Sequence, residues 1–412
     1  MPPQAVTLLV FDDGSNTLGP LTRRLARFEL ITGGCTTLQR IERVLGRTAD
    51  ALIVPASLEA GVYKRTHRPT NPRLEAERVL AVHGGWHALD HADRIASLQA
   101  DEALIQPTGV VVAANLKAAD AQRLAGGEAL PAGVSKQTLQ EPALFERPWD
   151  LVRFLPRTLP ADLAACDFPQ LPTGHVAGLS VVGEHPVRIH ASARVVPPVT
   201  FDATHGPIVI DPRAELRPFV ALQGPVYVGP GTTLASFASI RPNTAIGPDC
   251  RVGGEVSQSV IQAHSNKAHD GYLGNACVGQ WCNLGAQTTV SNLKNTYGPI
   301  RIQLDPHHEP IDTGLTHQGP VLGDMVRTAI GTRIPTGGCV DLASSLALSA
   351  IAPKYTPPFT WATDAGTEPH DLERFLRAMR MAMARRGEEL DDDEAQLLKR
   401  LHEQLASHPS RS

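Results

Sequence analysis

Ile210, Leu216, Leu222, Val228, Leu234, Ile240, Ile246 and Val252 follow one another at intervals of six residues without a break. A beat of six matches neither the 3.6-residue period of a helix nor the two-residue alternation of an ordinary strand. It fits a parallel β-helix, in which each short flat strand sends one aliphatic side chain inward before the chain turns. Ile189, Val195 and Phe201 carry the spacing upstream in another phase, and Leu322, Ile334, Val340 and Leu346 resume it downstream, with Thr328 holding the intervening place. A β-sandwich would instead alternate with period two and turn every 8–12 residues or so. The beat is interrupted at about 254–272 and at 294–320, and insertions in a solenoid map to loops on one face, often the binding face.

Composition supports the same reading. Gly and Pro number 35 and 34, and they crowd residues 205–255, where corners need the backbone angles they supply. With aromatics at 5% and hydrophobic residues at 42%, a helical bundle and a disordered chain are both disfavoured.

The stretch from residue 1 to about 165 lacks the beat and alternates short apolar runs with helical stretches. Val6–Phe11, Ala51–Pro55 and Gly109–Ala113 read as strands, and Thr36–Leu45, Arg73–Val82 and Ala118–Leu124 as helices. Such alternation predicts an α/β layer structure around a mostly parallel sheet. The expected domains are 1–170, 171–360 and 361–412. After Pro358 the coils are expected to end, and Asp371–Arg386 and Glu394–Leu405 to form two amphipathic helices. Arg374, Arg377 and Arg380 then read as a solvated face.

Lys and Arg total 38 against 42 Asp and Glu, a formal charge of −4. That leaves no basic excess for nucleic acid. The first apolar stretch, Ala5–Phe11, is too short to span a membrane and lacks the marks of a secretory signal, so a cytoplasmic protein is expected. The six cysteines show no CxxC pair and read as reduced, mostly buried thiols.

Polar residues gather where the beat first breaks. Ser265-Asn266-Lys267-Ala268-His269-Asp270-Gly271-Tyr272-Leu273-Gly274 is followed by Asn283-Leu284-Gly285-Ala286 and Val290-Ser291-Asn292, and Phe237-Ala238-Ser239-Ile240-Arg241-Pro242 lies upstream. These segments resemble the H-x-x-Y-L-G, N-I-G-A-G, C-N and F-A-x-[LI]-R-P motifs of the bifunctional GlmU-type family, UDP-N-acetylglucosamine pyrophosphorylase / glucosamine-1-phosphate N-acetyltransferase. Pro20-Leu21-Thr22-Arg23, Thr36–Gly46 and Pro148-Trp149-Asp150-Leu151 look like an alternative branch of it with a divergent N-terminal sugar-nucleotidyltransferase domain.

The resemblance implies an α/β nucleotidyltransferase-like domain, a left-handed parallel β-helix of hexapeptide repeats and a short C-terminal helical tail, assembled as a homotrimer. It also implies acetyl transfer from acetyl-CoA to the C2 amine of glucosamine 1-phosphate. His269 matches the catalytic base; imidazole suits that task because the attacking amine must be neutral near pH 7. Arg241 matches a sugar-phosphate ligand, consistent with the guanidinium fork. Tyr272 and Asn283 match sugar-site positions, and Ala286, Asn292 and Leu293 match acetyl-CoA positions. The family's phosphate-binding lysine has no counterpart in Glu255-Val256-Ser257-Gln258, a stretch two residues shorter here, and Lys267 is the candidate substitute.

Other readings stand beside this one. His264 and His269 have the spacing of γ-class carbonic anhydrases, which need a third histidine about 36 residues upstream, where this chain has Val228. His83, His87 and His91 read as a solvated face, since Gly84-Gly85 breaks any helix between them. No metal site is expected in the β-helix. Asp12-Asp13-Gly14-Ser15-Asn16 follows the first strand, where such sheets bind phosphates. Two carboxylates there would repel a nucleotide such as UTP unless Mg²⁺ bridged them, so Mg²⁺ is expected only with an active N-terminal domain. That domain reads either as an active nucleotidyltransferase or as a degenerate one retained for assembly or regulation. For the β-helix, the alternatives are an acyltransferase acting on another amino sugar or a sugar nucleotide, and a non-catalytic scaffold or binding protein.

Overall fold

A computed structural model describes residues 6–176 and 178–406. The chain forms two compact units. Residues up to Leu18, Arg24–Leu30 and Cys35–Glu146 build the first; Gly19–Arg23, Ile31–Gly34 and everything from Arg147 onward build the second.

The first unit contains β1 (Thr7–Phe11), α1 (Thr37–Leu45), β2 (Ala51–Ile53), α2 (Glu59–Thr66), β3 (Val79–His83), α3 (Ala92–Ala96), β4 (Glu102–Ile105), β5 (Val111–Leu116), α4 (Ala118–Ala125) and β6 (Ser135–Thr138). Its sheet runs β2-β1-β3-β5-β4-β6. β1 is parallel to β2 and β3 and β4 is parallel to β6, while β5 is antiparallel to β3 and β4, so the sheet is mixed with three of its five pairings parallel. The helix expected over Arg73–Val82 is replaced by β3. Its Val79, Ala81 and Val82 are fully buried between β1 and β5, and burial in a central strand overrides the helical propensity of Leu74-Glu75-Ala76-Glu77. Thr36 caps α1 by accepting from the Gln39 N–H, with Gln39 returning a capping-box contact, and Gly46 ends it in the left-handed conformation.

The second unit is a left-handed parallel β-helix of about ten turns beginning near residue 179. Each coil contributes to three parallel sheets. Ile210 pairs with Val228 and Val228 with Ile246, so one regular coil consumes three hexads. All eight residues of the unbroken series are fully buried, and each aliphatic side chain removed from water is worth about 1.5–3 kcal/mol.

The first interruption inserts nothing. Register pairs Ile240 with Val256, Ile246 with Ile261 and Val252 with Lys267, so the inward positions continue across it with shortened corners. The second is a true insertion carrying an antiparallel pair, Arg301–Ile302 with Ile311–Asp312. The coils also run past Pro358: Thr360–Thr363 still pairs with Ser345–Ala347 before turning back through Gly366–Pro369. A helix, α5 (Asp150–Ala164), packs in this unit, where Thr158 donates to the Thr32 carbonyl at 2.6 Å. Arg23 pairs with the fully buried Asp341 carboxylate at 2.9 Å. At the end, α6 (Leu372–Ala384) and α7 (Asp392–Ala406) bury Phe375, Leu376, Met379, Met383 and Leu398.

Candidate active site on the β-helix

The corner between Lys267 and Tyr272 carries His269. In the preceding coil the matching corner is only Gly253-Gly254, because Val252 and Val256 are four residues apart where the beat would give six. Gly254 adopts φ +68°, and a Cβ there would lie 2.9 Å from both the His269 carbonyl oxygen and Lys267 Nζ. Only glycine lets the two corners approach so closely.

Lys267 stands at an inward position, between Val252 and Leu284 on its sheet, and is buried. Its ammonium donates to the Gly253 carbonyl at 2.8 Å and to the His269 carbonyl at 2.7 Å. Burial pushes its pKa down to about 8. The lysine offered by the sequence as a phosphate ligand therefore ties down the backbone of His269 from inside the prism. His269 itself is exposed, and its ring makes no hydrogen bond among the described residues.

The remaining residues fall on two sheets. Arg241, half exposed, pairs with Glu255 at 2.9 Å. Tyr272 lies across its own strand: a Cβ on Gly274 would come within 2.1 Å of the Tyr272 oxygen, which explains the glycine of Tyr272-Leu273-Gly274. Burial holds the Tyr272 phenol above its usual range. Asn292 donates to that oxygen at 3.0 Å and to Asn275 Oδ1 at 2.6 Å. Leu293 follows at the start of the insertion, bridged to His317.

Asn283 lies on the neighbouring sheet and accepts from Asn266 at 3.2 Å. It lines a cleft of about 770 Å³ together with His269 and Ala286. Lys267, Tyr272, Asn292 and Arg241 are not among the residues lining that cleft. His269, at the corner joining the two sheets, is the element common to both groups.

Two features escaped the sequence. The first is the pair Arg251 and Arg327, which line the cleft. Each precedes an inward position, and the register places Arg251, Asn266, Asn283 and Arg327 on successive coils of one outward ladder. That ladder is readable only once the shortened corners are known. The second lies in the first unit, where His83 is buried and not part of a solvated face; His87 is buried as well. Arg27 pairs with Asp12 at 3.1 Å and Asp13 at 3.1 Å, and donates to the Ser15 carbonyl at 2.8 Å. Burial alone would raise the Asp13 carboxyl, but the His83 hydrogen bond and the Arg27 charge hold it well below the usual carboxylate range. Both carboxylates are engaged by Arg27, so a Mg²⁺ bridging them would have to share them with the guanidinium.

Two comparisons with known proteins return likenesses. Residues 8–167 match the family model described as sugar nucleotidyl transferase. The N-terminal region thus carries a sugar-nucleotidyltransferase signature. No curated protein matches the chain in sequence. Among solved structures, a single-site mutant of GDP-perosamine N-acetyl transferase from Caulobacter crescentus, in complex with CoA and GDP-perosamine, is 12% identical. It covers 89% of this chain and 96% of its own, with a TM-score of 0.14. PerB from the same organism, with the same two ligands, is 11% identical over 89% and 97%, with a TM-score of 0.13. Scores this low carry no argument about function, which rests on the chain's own residues.

Proposed function

We propose that the β-helix transfers an acetyl group from acetyl-CoA to the C2 amine of glucosamine 1-phosphate, with His269 as general base. The observation that carries this reading is the exposed imidazole on a corner whose backbone is fastened from within by Lys267, at the mouth of a cleft sized for a cofactor-like substrate. In the reaction the imidazole takes a proton from the amine, the nitrogen attacks the thioester carbonyl, an N–C bond forms and the C–S bond breaks. The proton passes from the imidazolium to the departing thiolate.

Arg241 is assigned to the sugar phosphate, with Glu255 orienting it, and Lys267 to positioning His269. Tyr272 and Asn283 are assigned to the sugar and Ala286, Asn292 and Leu293 to acetyl-CoA. Because these residues divide between two faces, a site completed by a neighbouring prism fits them better than one prism alone, and a homotrimer in the cytoplasm is part of the proposal. For the first unit, the sugar nucleotidyl transferase match supports uridylyl transfer to N-acetylglucosamine 1-phosphate.

A panel of amino-sugar phosphates assayed by thiol release tests the first reaction. Turnover with glucosamine 1-phosphate is expected, and turnover only with another amine would overturn the substrate assignment. Pyrophosphate release from UTP and N-acetylglucosamine 1-phosphate in the presence of Mg²⁺ tests the second, and none at high protein concentration would overturn it. Light scattering that gave a monomer would remove the trimer.

A further inference from the structure

Cations also line the cleft beside His269. Its walls are one sheet of the β-helix and α6, and four arginines line it: Arg251 and Arg327 from the sheet, Arg385 and Arg386 from the end of the helix. No aspartate or glutamate lines it, and none of the four forms an ion pair among the described residues. Arg386 is fixed by donating to the Asp249 carbonyl at 2.9 Å and to Asn266 Oδ1 at 2.5 Å. Arg327 meets the Met379 sulfur at 3.0 Å and the face of Phe375 at 5.9 Å. Burial presses both guanidiniums below their usual pKa, and the neighbouring Arg251 adds to the effect on Arg386.

Asp249 is the one carboxylate whose charge acts on Arg386; four cations gathered in a partly enclosed space with so little counter-charge are costly, and a bound oxyanion offsets the cost through charge-assisted hydrogen bonds. Guanidiniums suit phosphate because the planar fork meets two oxygens at once. The wall is finished by the His264 ring, stacked on Trp281 with centroids 4.3 Å apart and planes 7° from parallel. Both residues hold positive φ, as do Asp249 and Met325 at other turns of the β-helix. The arginines flagged in the sequence, Arg374, Arg377 and Arg380, are exposed and do not line the cleft.

We propose that Arg251, Arg327, Arg385 and Arg386 bind the phosphates of coenzyme A, the phosphomonoester and diphosphate of its adenosine end, so that its thioester arm points toward His269. This deepens the acetyl-transfer reading and rests on it for the identity of the ligand. A sugar nucleotide has a diphosphate but no phosphomonoester, which lets experiment separate the two sources.

Calorimetry with CoA, dephospho-CoA and UDP-N-acetylglucosamine tests the proposal on the full chain and on Arg327→Gln and Arg386→Gln. CoA is expected to bind more tightly than dephospho-CoA, and each substitution to weaken CoA about 10–100-fold, the equivalent of one charge-assisted hydrogen bond. The ratio of kcat/KM for acetyl-CoA to that for S-acetyl-N-acetylcysteamine, a thioester without phosphates, is expected to fall at least tenfold. CoA affinity within twofold of the parent in both variants would overturn the proposal, as would tighter binding of UDP-N-acetylglucosamine than of CoA. Arg385→Gln, at an exposed position, repeats the test should either partly buried variant fail to fold. If no amine is acetylated yet CoA binding still depends on these arginines, the cleft stands and the acetyl-transfer reading falls.

Discussion

Each unit of this protein carries a histidine close to arginines, and the two clusters differ in how their charges are met. In the first unit Arg27 is saturated: two carboxylates, a carbonyl and the Ser15 hydroxyl take up its guanidinium, and His83 is buried against it. In the second, His269 stands exposed beside a cleft lined by four arginines and by no carboxylate. A cluster that satisfies itself holds its own fold together. One left with unmet donors is organised to receive something else. The pairing of charges, more than the residue types present, therefore separates the two clusters, although Asp13 and His83 also border a cleft of the first unit.

The contrast is sharpest in the two most disruptive substitutions. His269→Ala is expected to lower acetyl transfer about 10²–10⁴-fold, the usual worth of a general base, with the unfolding midpoint unchanged. Activity within error of the parent would remove His269 from the mechanism. Arg27→Met is expected to do the opposite kind of damage. It strands the buried Asp12 and the largely buried Asp13, and breaking such a pair costs about 3–5 kcal/mol. Denaturant unfolding followed in the first unit checks it; a loss below about 1 kcal/mol would show that the cluster does not hold that unit together.

Lys267 tests a residue between the two cases, since it is self-satisfied yet serves the open site. Lys267→Leu restores the aliphatic stack between Val252 and Leu284 and removes the anchor on the His269 carbonyl. The variant is expected to be at least as stable as the parent at neutral pH while kcat falls roughly tenfold, a modest value for a displaced catalytic group. The pH dependence follows from the depressed pKa of about 8. Between there and the ordinary lysine range the unfolded chain binds more protons than the folded one, so parental stability rises with pH across that window, by on the order of 3 kcal/mol, and is flat below it. Lys267→Leu is expected to lose that rise. A variant that kept full kcat would deny Lys267 its positioning role.

The same contrast explains what could be read from the sequence. The β-helix was legible because each inward residue repeats its predecessor's environment, so Ile210 through Val252 announce one fold several times over. His269 is singled out by the motif around it, and the structure adds that it is exposed on a corner. The role of Lys267 was not legible, because a lysine at an inward position breaks the binary pattern, and only the shortened Gly253-Gly254 corner brings two carbonyls within its reach. Nor was the arginine ladder, since the register of Arg251 with Asn266 depends on counting those short corners. In the first unit Arg73–Val82 reads as helix because nothing local marks Val79–His83 as a central strand; its partners β1 and β5 come from distant parts of the chain.

The smallest effect probes repetition itself. Ile240 and Ile246 are both fully buried, on different sheets of the β-helix, and each is flanked along its sheet by other buried aliphatic residues: Leu222 and Val256 for the first, Val228 and Ile261 for the second. In a solenoid, stability is close to a sum of coil terms and nearest-neighbour terms, so equivalent truncations should cost alike. Ile240→Val and Ile246→Val are each expected to cost about 0.5–1.5 kcal/mol, and to agree within a few tenths. Ile53→Val, in the sheet of the first unit, has no such twin, and its cost is set by surroundings that occur once: β1 on one side and, one residue back, the Leu52 bridge to Thr70 on the other. Unequal costs for the two β-helix variants by more than about 1 kcal/mol, measured by denaturant unfolding, would break the equivalence of coils from which the hexad reading begins.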